Sequence, residues 1–139
     1  MTDLPTISHR IGGAAVDGTS TRTAPVYNPA TGRVAKSVRL ASTADVNDAV
    51  AVALAAFPAW RDMSQAKRQT IMYSFRELLN ARKGDLADIL TAEHGKVTAD
   101  ALGEITRGLE VVEFALGMPH LSKGDYSENV STGVDVYSL

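Results

Sequence analysis

Arg107 stands out by the company it keeps. It lies in "LGEITRGLEVVEFALG", residues 102–117, between Gly103 and Gly108, with Glu104 three residues before it and Glu110 three residues after. That spacing on a helix supports two kinds of chemistry. One is a surface ladder of ion pairs with the two glutamates, worth roughly 0.2–0.5 kcal/mol per pair. The other is an anion grip. Arg107 shares its side of the helix with Val111 and Phe114, and a planar, permanently charged fork beside apolar neighbours suits bidentate binding of a carboxylate. The two glycines need a reason as well, because glycine in a helix interior costs about 1 kcal/mol relative to alanine. They flank an apolar stripe of Leu102, Ile105, Leu109, Val112 and Leu116, a placement that predicts close packing of the helix on two sides.

Other candidate chemistry falls away. "GEITRG" has the outer spacing of a phosphate-binding loop, but Leu109-Glu110 stand where Lys and Ser/Thr are required. "GGAAVDG", Gly12 to Gly18, lacks the glycine spacing of a dinucleotide fingerprint. His9, His94 and His120 are too far apart to resemble a local metal site; His94 reads as a favourable cation at a helix end. There is no G-x-S-x-G. With no cysteine among the 139 residues, the chain offers no thiolate nucleophile and no disulfide.

The bulk properties are those of an ordinary soluble domain: 45% hydrophobic, 22% charged, net charge −2. No basic cluster supports nucleic-acid binding. The longest mid-chain apolar run, Ala49–Phe57, is far short of the ~20 residues of a membrane span. The first residues lack a secretory pattern, so the expected location is cytoplasmic. Asn129-Val130-Ser131 matches a glycosylation sequon and, without a secretory route, reads as coincidence.

Residues 1–40 read as short strands and turns, with turns at Gly12-Gly13, Asp17-Gly18 and "YNPATG", Tyr27–Gly32. A helix is expected over 42–57, capped by Ser42 or Thr43, with Asp45 in its first turn and Pro58 ending it. A second spans about 64–80 with Ser64 as cap and a core face of Ile71, Met72, Phe75, Leu78 and Leu79. A third runs to His94 with Leu86, Ile89 and Leu90 inward, and Gly95 ends it in the left-handed conformation. A fourth, capped by Thr98, carries Arg107 to about Gly117, and Pro119 breaks the chain. "STGVDVYSL" alternates as a final strand, Asp135, Tyr137 and Leu139 on one face, with no obvious antiparallel partner nearby.

Several stretches in this order, "VDG", "YNPATG", "STADVNDAVAVALAAFPAW", "RQTIMYSFRELL", "LTAEHGK" and "ALGEITRGLEVVEF", resemble the N-terminal part of aldehyde dehydrogenases over essentially the whole chain. The glycine-bracketed arginine followed by "LEVVEFA", then "PHL" and "TGVDVYS", is most similar to the CoA-acylating methylmalonate-semialdehyde branch. The resemblance implies an α/β fold represented by its N-terminal part: short antiparallel strands, four helices, and a terminal strand belonging to an oligomerisation arm. Residues 1–121 would pack on an NAD-binding sheet outside this chain, and 122–139 would begin the arm. It implies NAD-dependent oxidation of methylmalonate or malonate semialdehyde, acyl transfer to CoA and loss of CO2, in a homo-oligomer. Arg107 would bind the substrate carboxylate. The family's cysteine nucleophile, its oxyanion-binding asparagine and its NAD site fall outside these residues, so no catalytic, cofactor-binding or metal-binding residue is assigned, and the chain alone is expected to be inactive. The competing expectation is a non-catalytic interaction module derived from the same fold.

Overall fold

The structure, a computed structural model, describes residues 4–138. It is mixed α/β and divides into two compact units, the first comprising residues up to Met63 together with Ala87–Ala101, the second Ser64–Leu86 with residues from Leu102 onward.

In the first unit, β1 (Thr6–Ile7) adds to β5 (Arg33–Arg39), which pairs with β4 (Thr23–Asn28) in a three-stranded sheet of order β1-β5-β4. The β4–β5 pair is antiparallel, whereas β1 runs parallel to β5, a pairing the expected antiparallel strands did not include. The "YNPATG" turn closes β4–β5: the Asn28 carbonyl accepts from Thr31 and Gly32, and Gly32 takes φ +67°. β2 (His9–Ile11) and β3 (Ala14–Val16) form a hairpin. Its two turn residues, Gly12 and Gly13, both have positive φ, which matches the right-handed twist of the strands they join.

Helix α1 (Thr43–Arg61) starts at Ser42, and its first turn holds the one buried charge among the described residues, Asp45, 5% exposed. Ser42 and Asp45 form a reciprocal capping box. The Ser42 amide donates to Asp45 Oδ2 at 2.7 Å, and the Asp45 amide donates to Ser42 Oγ at 3.1 Å. The carboxylate also accepts from the Thr19 amide and hydroxyl through Oδ1, at 2.8 and 3.0 Å. The Asp17-Gly18 turn is therefore fastened to the helix N-terminus. Gly18 sits at φ +74°, and a Cβ there would lie 2.9 Å from Asp45 Oδ2. The position thus requires glycine both for its backbone and for the space.

Pro58 does not end α1 as expected; the helix continues to Arg61. Proline removes its own amide donor and crowds the carbonyl one turn back, which strains a helix without having to end it, and the bias against helix at the preceding residue is a preference. Here the following turn closes normally, with the Asp62 amide donating to the Pro58 carbonyl at 2.9 Å. Helix α3 (Lys83–His94) stops at Gly95, φ +83°, as the sequence predicts. Gly95 also faces Pro29 so closely that a Cβ would approach its Cγ to 3.0 Å. With the Lys36–Glu93 ion pair, this joins the "YNPATG" hairpin to the end of α3.

In the second unit, α2 (Gln65–Ala81) is capped by Ser64. Gln69 Nε2 donates to the Leu116 carbonyl at 2.7 Å, and Arg76 places Nε and Nη2 on Glu113 Oε1 at 2.9 and 2.5 Å. All three bonds tie α2 to α4 (Thr98–Leu116). Pro119, expected as a break, sits in the first turn of a short helix, α5 (Met118–Leu121), where a missing amide donor costs nothing.

The last strand is not alone. β7 (Val134–Ser138) pairs antiparallel with β6 (Asp125–Ser131), which lacks the clean alternation that marks strands in sequence. Tyr126 and Tyr137 meet across the pair with ring centroids 4.8 Å apart and planes tilted by 40°, Tyr126 Oη donates to Asp135, and Asn129 takes φ +53° at an irregularity in the ladder. Leu139, expected on this strand, lies outside the described residues.

Little apolar surface is closed off. Ala87, Ala101 and Leu116 are the buried hydrophobic residues among those described. Leu78 and Ile89, expected to face a core, are about 60% exposed at 62% and 58%.

The Asp45 node makes a measurable prediction. Its hydrogen bonds from Ser42 and Thr19 hold the carboxyl far below its ordinary value of 3.8. The stabilisation is complete above that value and is lost as the pH falls through it and below. Denaturation curves are expected to show stability dropping more steeply below about pH 4 in the native chain than in Asp45→Asn. At neutral pH Ser42→Ala is expected to cost about 0.5–2 kcal/mol.

Candidate functional site

The sequence picks out α4, and the structure places Arg107 on an exposed side of it. The expected ladder is not formed: Arg107 makes no hydrogen bond or ion pair within the described residues, while Glu104 has a partner of its own. Along the same side of the helix, one and two turns on, Val111 and Phe114 are 68% and 73% exposed. The result is an unpaired guanidinium at the end of an open apolar strip. Such a group carries full charge, five donors and no internal acceptor to compete with a bound anion.

The glycines resolve differently from expectation. Neither packs against another element. A Cβ at Gly108 would meet nothing within 4 Å, and one at Gly103 would find Arg107 Nη1 at 3.6 Å. The reason is geometric: a long helical side chain folds back over the turn preceding its own Cα. The Arg107 head thus lies over the bare backbone at Gly103.

Two hollows, one in each unit, add no chemistry to this site. In the second unit a depression of about 230 Å³ is lined by Asn80, Lys83, Ile105, Thr106, Leu109, Glu110 and Glu113. It opens on a different side of α4 from Arg107. In the first unit a shallow groove lies between β2 and α1, beside the exposed Val46 and Val50. The histidines stay apart, in β2, α3 and α5, and no group of three metal-binding side chains occurs among the described residues. No described helix is long and apolar enough to cross a membrane. The residue that sequence reasoning undervalued is Asp45. Its signal was legible in Ser42-Thr43-Ala44-Asp45, the spacing of a capping box.

Residues 15–138 match the aldehyde dehydrogenase family pattern. The chain is 41% identical over 135 residues to malonate-semialdehyde dehydrogenase of Pseudomonas aeruginosa, covering 97% of this chain and 27% of that protein. It is 43% identical to the acylating mitochondrial methylmalonate-semialdehyde dehydrogenase of Arabidopsis thaliana, covering 97% and 22%. Among solved structures, a Sinorhizobium meliloti protein described as a methylmalonate-semialdehyde dehydrogenase and complexed with NAD superposes with TM-score 0.88 at 43% identity, over 99% of this chain and 28% of that one. A Corynebacterium glutamicum NAD-dependent benzaldehyde dehydrogenase matches with TM-score 0.80 at 29% identity, over 94% and 28%. The chain thus spans about a quarter of the length of these relatives.

Because the Arg107 side chain has no partner among the described residues, Arg107→Ala is expected to change the stability of the 139-residue protein by less than about 0.5 kcal/mol in urea denaturation. A larger loss would assign Arg107 to the scaffold.

Proposed function

Since the chain belongs to the aldehyde dehydrogenase family, we propose that it is the N-terminal part of an NAD-dependent, CoA-acylating dehydrogenase acting on malonate or methylmalonate semialdehyde. In the complete reaction the aldehyde carbon is oxidised, NAD accepts the hydride, CoA takes the acyl group, and the substrate carboxylate leaves as CO2. The products are acetyl-CoA or propionyl-CoA. The observation that carries the reading is the unpaired Arg107 guanidinium beside Val111 and Phe114. A semialdehyde of this class has a carboxylate at the end opposite its reacting carbon. An arginine fork can hold that end and keep it ionised while the aldehyde is presented elsewhere.

NAD supplies the hydride acceptor when bound, but the described residues contain no strand–glycine-loop–helix unit to cradle a pyrophosphate. No residue here is assigned to it, and none to CoA. The reading also accounts for the uncovered helices. Residues 1–121 would lie against the remainder of the same enzyme, and 122–139 would start an arm used in a homo-oligomer.

Two measurements check this. The 139-residue chain, mixed with malonate semialdehyde, NAD and CoA, is expected to form no NADH. Joined to the rest of the Pseudomonas relative to make a complete enzyme, it is expected to be active. There Arg107→Ala raises KM for malonate semialdehyde about 10–100-fold, the loss of charge-assisted hydrogen bonds, and leaves KM for propanal within about twofold. Equal effects on both aldehydes would remove the carboxylate-binding role.

A further inference from the structure

We propose that Gly103 is a positioning residue: its missing side chain is the seat on which the Arg107 guanidinium rests, and that seat sets the enzyme's preference for carboxylated aldehydes. The inference rests on the carboxylate-binding reading of Arg107 and extends it to a residue that would touch no substrate. Three observations carry it. Glycine disfavours a helix interior more than any residue but proline, so Gly103 needs a compensating reason. Of the atoms around it, excluding its own helix backbone and chain neighbours, Arg107 Nη1 alone approaches within 4 Å of where its Cβ would be. Gly108, in the same helix, has nothing within that distance. The two glycines therefore differ in what they admit, and only Gly103 admits the guanidinium.

Arg107 has no hydrogen-bonded partner among the described residues to hold its direction. The contour of its own helix is what orients it. At 3.6 Å a methyl group at 103 makes ordinary contact. Atoms beyond Cβ reach about 1.5 Å farther and compete with the guanidinium for the same space. The effect therefore depends on size: alanine is accommodated, and valine displaces the head from the axis on which it meets an anion.

The test uses the complete joined enzyme with Gly103→Ala, Gly103→Val, Gly108→Val and Arg107→Ala. Gly103→Val is expected to raise KM for malonate semialdehyde about tenfold, with kcat and the KM for propanal within about twofold. Gly103→Ala and Gly108→Val are expected to leave both substrates within about twofold. Valine changes intrinsic helix propensity by the same amount at either glycine, so an effect exerted through the helix alone would move Gly103→Val and Gly108→Val together, and that outcome would overturn the proposal. Combined with Arg107→Ala, Gly103→Val is expected to add nothing. If Arg107→Ala discriminates between the two aldehydes and Gly103→Val does not, the seat is refuted while the carboxylate reading stands. If Arg107→Ala does not discriminate, both fall.

Discussion

The chain carries the apolar faces of four long helices and encloses almost none of that surface. Leu54, Leu78, Val111 and Phe114 are each more than 60% exposed, and no large side chain among the described residues is fully buried. At about 25 cal/mol per Å² of apolar area, a domain normally draws most of its stability from the term that is largely unsatisfied here. Local geometry therefore depends on polar and steric fastenings. Asp45 binds the 17–20 turn to α1, Gly95 meets Pro29, and Gln69 and Arg76 hold α2 to α4. Each is directional, which is why the elements are well defined although the interior is small.

The sequence was most readable where backbone chemistry is local. Gly12-Gly13, Gly32 and Gly95 all take the positive φ their positions suggest, and Ser42 and Ser64 cap the helices they precede. Reading failed where the outcome depends on contacts distant in sequence. β6 was missed because its alternation is imperfect and its partner is set by the pairing of Tyr126 with Tyr137. The parallel docking of β1 on β5 leaves no local mark. Pro58 biases only the residue before it against the helix, and the hydrogen bonds that follow carry the helix on to Arg61.

The candidate site was legible as a residue and not as an environment. Glu104 and Glu110 stand at ion-pairing distance along the sequence, yet Arg107 uses neither. Spacing states which pairs can meet; it does not state which competing partner or rotamer wins. The glycines around Arg107 were read as room for a neighbouring helix, and at Gly103 the room is taken by the arginine's own head. An uncommitted cation on a helix with open apolar neighbours is a poor stabilising device and a good binding one, because any anion that arrives displaces only water.

The hairpin of β6 and β7 is assembled from residues 125–138 alone, so it has no long loop to close. Hairpins of this length zip up in about 1–10 μs, long before slower, nonlocal assembly elsewhere in a chain. A two-stranded ribbon alone in water is marginally stable at best, so the segment reaches its shape quickly but holds it only weakly until more surface covers it.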